Sequence, residues 1–242
     1  FSVSNAVHPN QIFIDPSTSN VPYSEGLVLL LQSHTAQDIG EENSQAVATN
    51  VTDKYIQSLL TAFQDANKAH GVSILTAMLH YDNEAAQRNM LSLDSFNSYL
   101  KKDNYELRRS VLELFTALPA DHPLLDTEDK LIKTMNILTT IVTQSTDKIL
   151  PLVLEFVKTR QQLDFFKPIM QQLAANDANV IGCILICVNL ELLTPEIIEA
   201  AFPNNAKPAR INISISIAKQ ILGHEKTTDA IYCALLNQEL NG

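Results

Sequence analysis

The sequence predicts an all-α protein, and three observations support this fold class. Apolar residues recur at helical spacing over most of the chain, capping and breaking signals separate the apolar stripes, and only 6 glycines occur in 242 residues. Sheet-rich proteins use glycine in turns and bulges, whereas helices need it mainly at their C-terminal ends. We therefore expect an irregular multi-helix array or α-bundle of about ten to twelve helices with an extended N-terminal arm.

Residues 1–23 are predicted to form the extended arm. Proline disfavours helix at the residue that precedes it, and three prolines lie in this segment: Pro9, Pro16 and Pro22. Ile12 and Ile14 could attach the arm to the domain as a short strand. Together with Phe13, these two residues are candidate partner-binding residues.

Residues 24–242 are predicted to form one helical domain, with a sub-division near residues 119–127 as the alternative. In its first half, side chains that cap backbone N–H groups mark helix starts, and we place five starts at Ser24, Thr52, Ser73, Asp94 and Asn104. The apolar stripe that follows the second start is Tyr55, Ile56, Leu59, Leu60 and Phe63. Because glycine is favoured just after a helix C-terminus, Gly71 is predicted to end that helix, with His70 in its last turn.

The second half of the domain repeats this pattern of caps and apolar stripes. We place its helix starts at seven positions: Thr127, Thr146, Leu163, Asp177, Thr194, Pro208 and Thr228. Pro168 either kinks the third of these helices or marks its true start. Residues 211–217 alternate isoleucine with polar side chains as a strand does, but the flanking Pro208 and Gly223 favour a helix.

The charge of the chain argues against nucleic acid as a partner. It has 17 Lys and Arg against 27 Asp and Glu, which gives a formal net charge of -10. Phosphate backbones are bound by clustered basic side chains, and the densest basic pairs, Lys101-Lys102 and Arg108-Arg109, lie close to acidic residues. The longest apolar run, residues 180–188, is shorter than the roughly 20 residues that a membrane span requires. We therefore expect neither nucleic-acid binding nor a membrane span.

Three cysteines, an odd number, suit a reducing compartment better than a disulfide framework, so a cytoplasmic location is predicted. Cys183 and Cys187 are four residues apart and share one face of an apolar helix. A metal site would require two further ligands at a matching spacing, and no His or Cys lies nearby in the sequence. We interpret these two cysteines, and also Cys233, as core side chains.

No motif of the sequence indicates catalysis or a bound cofactor. The Gly-x-Ser-x-Gly elbow of serine hydrolases and the glycine-rich loops of nucleotide-binding proteins are both absent. The densest polar cluster with a titratable group is residues 80–84, which we interpret as a helix-to-helix turn capped by Asp82 or Asn83. We therefore expect no catalytic residue, no metal site and no cofactor.

Phe165 and Phe166 are the most conspicuous aromatic pair of the chain. Consecutive residues of a helix point in different directions, so the two rings cannot share one helix face. We expect one ring in the core and the other exposed as an anchor for a partner protein. Both residues are therefore candidate partner-binding residues.

The composition of the chain has three features. Its predicted helices are acidic and rich in Asn, Gln, Ile and Lys, and a polar, proline-containing arm precedes them. The tail ends Asn237-Gln238-Glu239-Leu240-Asn241-Gly242. In this composition the chain resembles helical adaptor and effector proteins of the Legionella-type (Dot/Icm) type IV secretion system. The resemblance is spread over the whole chain and transfers no functional residue. It implies a protein that binds other proteins within a larger assembly.

The function that the sequence favours is a non-enzymatic protein–protein interaction module, an adaptor or scaffold component. The absence of any catalytic motif and the large helical surface both favour it. Two alternatives stay open at this point. One is an enzyme whose site is assembled from residues distant in sequence, and the other is a carrier of a small apolar ligand.

Overall fold

The computed structural model describes residues 52–144, 146–160 and 163–203, together with Asp229 and Cys233. Within these residues the secondary structure is helical, with no strand. The all-α fold class is therefore confirmed. The predicted arm, the helix expected from Ser24 and the ambiguous residues 211–217 lie outside the described residues.

The described residues contain ten helices, which we number in chain order. Short turns join most of them, in agreement with the predicted array. Their bounds are α1 (52–60), α2 (Asp65–Tyr81), α3 (Asn83–Asn89), α4 (Leu93–Leu100), α5 (Tyr105–Ala117), α6 (Glu128–Gln144), α7 (Thr146–Thr159), α8 (Leu163–Ala174), α9 (Val180–Leu190) and α10 (Pro195–Ala201).

The helices group into two compact units. The described part of unit one comprises residues 52–91 and 106–117, and that of unit two comprises residues 92–105 and 118–203. Unit one thus holds α1, α2, α3 and nearly all of α5, while unit two holds α4 and α6 to α10. The predicted domain bounds, including the alternative division near residues 119–127, stay a prediction.

Side-chain caps begin several helices where the sequence indicated them. The Asp82 side chain accepts a hydrogen bond from the N–H of Ala85 at 3.0 Å and so caps α3. At α10 the Thr194 hydroxyl accepts from the N–H of Ile197 at 3.3 Å, and Pro195 occupies the first helical position. These caps satisfy backbone donors that have no partner inside the helix.

The core of unit one is built on the close approach of α1 and α2. A Cβ added to Gly71 would lie 3.0 Å from the Cβ of Leu59 and 3.1 Å from Cδ2 of Leu60. Gly71 lies inside α2 and is buried, so the prediction that it ends a helix was wrong. The reason is tertiary: packing against α1 outweighs the low helix propensity of glycine. His70, expected in a last turn, likewise lies inside α2.

A polar cluster joins α1 to α3 within the same unit. Asp53 accepts a hydrogen bond from the amide nitrogen of Asn89 and forms an ion pair with Arg88, whose Nε lies 3.3 Å away. Gln57 donates to the side-chain oxygen of Asn89 at 3.2 Å. Asn89 is buried, and its amide also donates to the Ala85 carbonyl at 2.9 Å. The buried amide therefore has the partners that its burial requires.

The core of unit two is centred on α9, which packs against α6, α7 and α8. All residues of α9 except Asn189 are buried. A Cβ added to Gly182 would overlap the carbonyl oxygen of Thr139 and lie 2.8 Å from its carbonyl carbon. Gly182 therefore allows the backbones of α9 and α6 to touch, and only glycine leaves room for this crossing.

Hydrogen bonds reinforce the crossing of α9 and α6. The amide nitrogen of Asn179, which precedes α9, lies 2.7 Å from the Asn136 carbonyl and 2.6 Å from the Thr139 hydroxyl. The N–H of Gly182 donates to the Thr143 hydroxyl at 3.0 Å. Backbone donors in the first turn of a helix have no partner inside it, and here the neighbouring helix supplies one.

In α8 the structure decides between the two expectations for Pro168. The helix begins at Leu163, so Pro168 lies inside it and does not mark its start. Pro151 lies inside α7 in the same way. No helix of the described residues has the length and apolar character needed to cross a bilayer.

Candidate functional site

The predicted aromatic pair lies on α8, and one of its two rings is buried while the other is exposed, as expected. Phe166 is fully buried, whereas Phe165 is 39% exposed. Their ring centroids are 6.3 Å apart with an interplanar angle of 87°, an edge-to-face arrangement. One ring is therefore in the core and the other at the surface, and their role in binding a partner stays a prediction. Ile12, Phe13 and Ile14, the other candidates, lie outside the described residues.

Phe63 is the most exposed large apolar side chain of the described residues. It was expected in the core as the last member of the stripe that follows Thr52. Instead α1 ends at residue 60 and Phe63 lies in the turn before α2, where its side chain is 98% exposed. The helical spacing predicts burial of Phe63 only if α1 continues to that residue. The sequence signal for the break is weak: it consists of Gln64 and Asp65, at which the next helix begins.

Tyr81 and Tyr105 are the other exposed aromatic side chains of the described residues. Tyr81 ends α2 in unit one and is 53% exposed. Tyr105 begins α5, and the Lys148 Nζ lies 5.8 Å from the centroid of its ring, a cation–π contact.

The cysteines divide between core and surface. Cys183 and Cys187 are buried in α9, as expected, and the Cys183 thiol donates to the Met170 carbonyl at 3.1 Å. Cys233 is exposed, so its expected place in the core was wrong. Successive helical residues point about 100° apart, and apolar neighbours in sequence therefore do not by themselves bring a residue inside. All three cysteines are free thiols.

The cluster at residues 80–84 forms a turn between α2 and α3, as predicted. Asp82 is both the last cap of α2 and the first cap of α3. Its carboxylate is engaged by the backbone of α3 and serves the fold. Within the described residues, no group of three or more His, Cys, Asp or Glu side chains is arranged to hold a metal ion.

His122 lies in the segment between α5 and α6 beside the buried Arg160. The Arg160 guanidinium donates to the carbonyls of Pro119 at 3.0 Å and Leu118 at 3.2 Å, and so holds this segment in place. The Nδ1 atom of His122 accepts from the N–H of Leu124 at 3.2 Å. Burial, and then the positive charge of Arg160, lower the pKa of His122. The imidazole is therefore engaged in the fold and favours its neutral form near pH 7.

A polar groove between α4 and α6 is a site that the sequence did not indicate. Its volume is about 300 Å³. Three lining residues lie in α4 and a fourth, Lys101, directly follows it, at the spacing i, i+3, i+4 and i+7. The lining residues of α6 are spaced i, i+3 and i+4, so each helix contributes one face. The lining residues are Asp94, Asn97, Ser98, Lys101, Lys133, Asn136 and Ile137.

Asn97 forms the floor of this groove. It is 5% exposed, and its side-chain oxygen accepts a hydrogen bond from the Thr134 hydroxyl at 3.4 Å. Lys101, Lys133 and Asp94 are exposed at the rim, and none of these three makes an ion pair with another described residue. The groove appears only when two helices distant in sequence are packed together, and no single segment signals it.

The chain matches no protein-family model and no curated protein sequence.

Proposed function

We propose that the chain is a non-enzymatic protein–protein interaction module that docks on a partner protein through Phe63. The observation that carries this proposal is the 98% exposure of the Phe63 side chain. Leaving a phenylalanine ring in water is about 1.5–3 kcal/mol less favourable than burying it, and phenylalanine is enriched at protein interfaces. A partner with an apolar pocket would recover this free energy on binding.

Phe63 lies in a turn, and hydrogen bonds hold both ends of this turn in place. Before the turn, the N–H of Thr61 donates to the Gln57 carbonyl at 3.0 Å, and the Thr61 hydroxyl donates to the same oxygen at 2.7 Å. After it, the N–H of Lys68 donates to the Gln64 carbonyl at 3.3 Å. A preformed turn loses little conformational entropy when it binds, which favours its use as a docking element.

Phe165 supports the same function in unit two. Its ring is partly exposed on α8, while the adjacent Phe166 anchors that helix in the core. Aromatic side chains held on a rigid helix are common anchors of protein interfaces. Phe165 is therefore a second candidate anchor, treated separately from Phe63.

The proposal also concerns the compartment and the assembly in which the chain acts. We place it in the cytoplasm as an adaptor or scaffold component of a larger assembly, and the free thiols of its cysteines support a reducing compartment. The compositional resemblance supports an assembly of the Legionella-type type IV secretion system. Recovery of components of such a system with the tagged chain would support this extension, and their absence from the bound proteins would oppose it.

The experiment is a quantitative affinity purification of the tagged full chain from its native cell extract, with Phe63→Ser as the test variant. Tyr81→Ser is the matched control, because it also removes an exposed aromatic side chain from unit one. We expect the bound partner to be lost with Phe63→Ser and retained with Tyr81→Ser. Because Phe63 makes so little contact with the fold, the thermal unfolding midpoint of Phe63→Ser should equal that of the wild type.

Two results would contradict the proposal. One is a partner recovered equally well with Phe63→Ser and the wild type. The other is a wild-type chain that recovers no partner and is monomeric at micromolar concentration. A parallel Phe165→Ser variant tests the surface of α8 separately, since its loss of binding would identify Phe165 as an anchor of its own.

The two alternative functions stay predictions, and each requires a different experimental observation. An enzyme with a site built from distant residues requires a substrate whose turnover depends on a titratable side chain such as His122. A carrier of a small apolar ligand requires a lipid or fatty acid that remains bound through purification and is detected by mass spectrometry.

A further inference from the structure

We propose that the groove between α4 and α6 binds a small molecule that carries a phosphate or carboxylate group. This inference goes beyond the proposed interaction module, because it concerns a ligand of unit two and does not depend on Phe63. Three properties of the groove support it: the charges at its rim, the Asn97 amide at its floor, and its volume.

The charge at the rim of the groove is opposite to that of the chain as a whole. Lys101 and Lys133 contribute two positive charges and Asp94 one negative charge, whereas the whole chain carries a formal net charge of -10. Neither lysine is neutralised by an ion pair with a described residue. Lysine binds phosphate and carboxylate as a mobile point charge, so an oxyanion between the two ammonium groups would be attracted by both.

The floor of the groove supplies a hydrogen-bond donor that the fold leaves without a described acceptor. The oxygen of the Asn97 side chain accepts from Thr134, while its amide nitrogen has no acceptor among the described residues. Asn97 is 95% removed from solvent, since only 5% of its surface is exposed. This nitrogen is not among the described polar atoms that are fully buried without a partner, so water in the groove can reach it, and an oxyanion oxygen could replace that water as its acceptor.

The size and the remaining lining residues define the class of ligand. A volume of about 300 Å³ lies at the lower end of the roughly 300–1,000 Å³ of small-molecule pockets. The groove therefore has room for an oxyanion together with a small organic group. The Asp94 carboxylate accepts hydrogen bonds only, and the Ser98 hydroxyl is both donor and acceptor. These groups favour a ligand that also carries a hydroxyl or ammonium group.

The test is a titration of the full-length protein, labelled with nitrogen-15, with inorganic phosphate and separately with succinate. Sodium chloride at matched ionic strength serves as the reference for screening. We expect saturable shifts of the backbone amide signals of residues that line the groove, among them Asn97, Lys101 and Lys133. Binding of phosphate but not succinate would assign the site to phosphate esters, and the reverse would assign it to carboxylates.

The variant that tests the mechanism is Lys101→Gln with Lys133→Gln. Its control is Lys102→Gln with Lys158→Gln, which removes the same net charge at two lysines outside the groove lining. The first double variant loses both positive charges of the groove, so we expect its affinity for the anion to fall by at least about tenfold. In the control the affinity should fall by less than about twofold.

Asn97→Asp provides a second, independent test. It keeps an acceptor for Thr134 but replaces the amide donor with a carboxylate, so it should abolish binding of either anion. The proposal is overturned if both lysine double variants bind alike, or if neither phosphate nor succinate gives saturable shifts at millimolar concentration. Equal binding would show that the shifts report general screening of charge.

Discussion

Two glycines lie inside helices, one in each unit, and each allows a close crossing of two helices. The two crossings differ in the atoms that an added side chain would meet. At Gly182, a side chain would overlap the backbone carbonyl of Thr139. At Gly71, a Cβ would lie 3.0 Å from the Cβ of Leu59, which is fixed to the backbone of α1, and 3.1 Å from Cδ2 of Leu60. These contacts are tight but do not overlap, and the end of the Leu60 side chain can rotate away. The carbonyl that Gly182 faces is held in a helix and cannot move without displacing that helix. The two crossings should therefore differ in their tolerance of substitution, although both glycines are buried.

The difference shows what a buried helical glycine does in each unit. In α9 the glycine sets the distance between two helix backbones, and hydrogen bonds from Asn179 and to Thr143 complete the contact. In α2 the glycine allows the Cβ of Leu59 and the end of the Leu60 side chain to come close without overlap. The stricter requirement for glycine is therefore at Gly182, which faces backbone.

Gly182→Ala should have the largest effect. The added methyl group forces α9 away from α6 and breaks the hydrogen bond from Gly182 to Thr143, so we expect a loss of about 3 kcal/mol or more in the free energy of unfolding. Urea titration followed by circular dichroism measures it. Cys187→Ala, at another buried position of α9, is the control and should cost about 1 kcal/mol. A Gly182→Ala protein as stable as this control would show that the crossing can relax.

Asn179→Ala should have the next largest effect at the same crossing. Its amide donates to acceptors on α6, and truncation leaves the Asn136 carbonyl and the Thr139 hydroxyl without that donor. We expect a loss of about 2–3 kcal/mol in the same urea titration. Asn179→Asp should be no better, because a carboxylate cannot donate. Wild-type stability of Asn179→Asp would mean that the amide is not needed to hold α9 on α6.

Gly71→Ala should have the smallest effect. Alanine raises the helix propensity of α2 by about 1 kcal/mol, which offsets the small shift that the Cβ of Leu59 requires and the displacement of the Leu60 side chain. We expect the free energy of unfolding to stay within about 1 kcal/mol of the wild type. A loss as large as that of Gly182→Ala would remove the distinction between the two crossings.

The sequence predicts helix type and inward faces well where a stripe and a cap agree. Leu131, Met135, Leu138 and Val142 were predicted as one face of a helix, and all four are buried on α6. The caps at Asp82 and Thr194 were also predicted, and both are confirmed. These features are local, because they depend on residues within a few positions of each other in the chain.

What the sequence did not predict depends on tertiary packing. Gly71 has the local signature of a helix end, and only the approach of α1 explains its place inside α2. Phe63 continues an apolar stripe, but the helix that would have buried it ends at residue 60. The groove between α4 and α6 joins residues more than thirty positions apart, such as Lys101 and Lys133. No pattern within one segment carries information of this kind.

The apolar surface of α9 has a consequence for synthesis of the chain. A helix buried on all sides is an aggregation hazard while its partners are missing. Among the described helices, those that pack around α9 are α6, α7 and α8, and all three precede it in the chain. They therefore leave the ribosome first, and α9 can be covered as it emerges. A circular permutant that begins at α9 would reverse this order, and we expect it to yield more insoluble protein than the natural order.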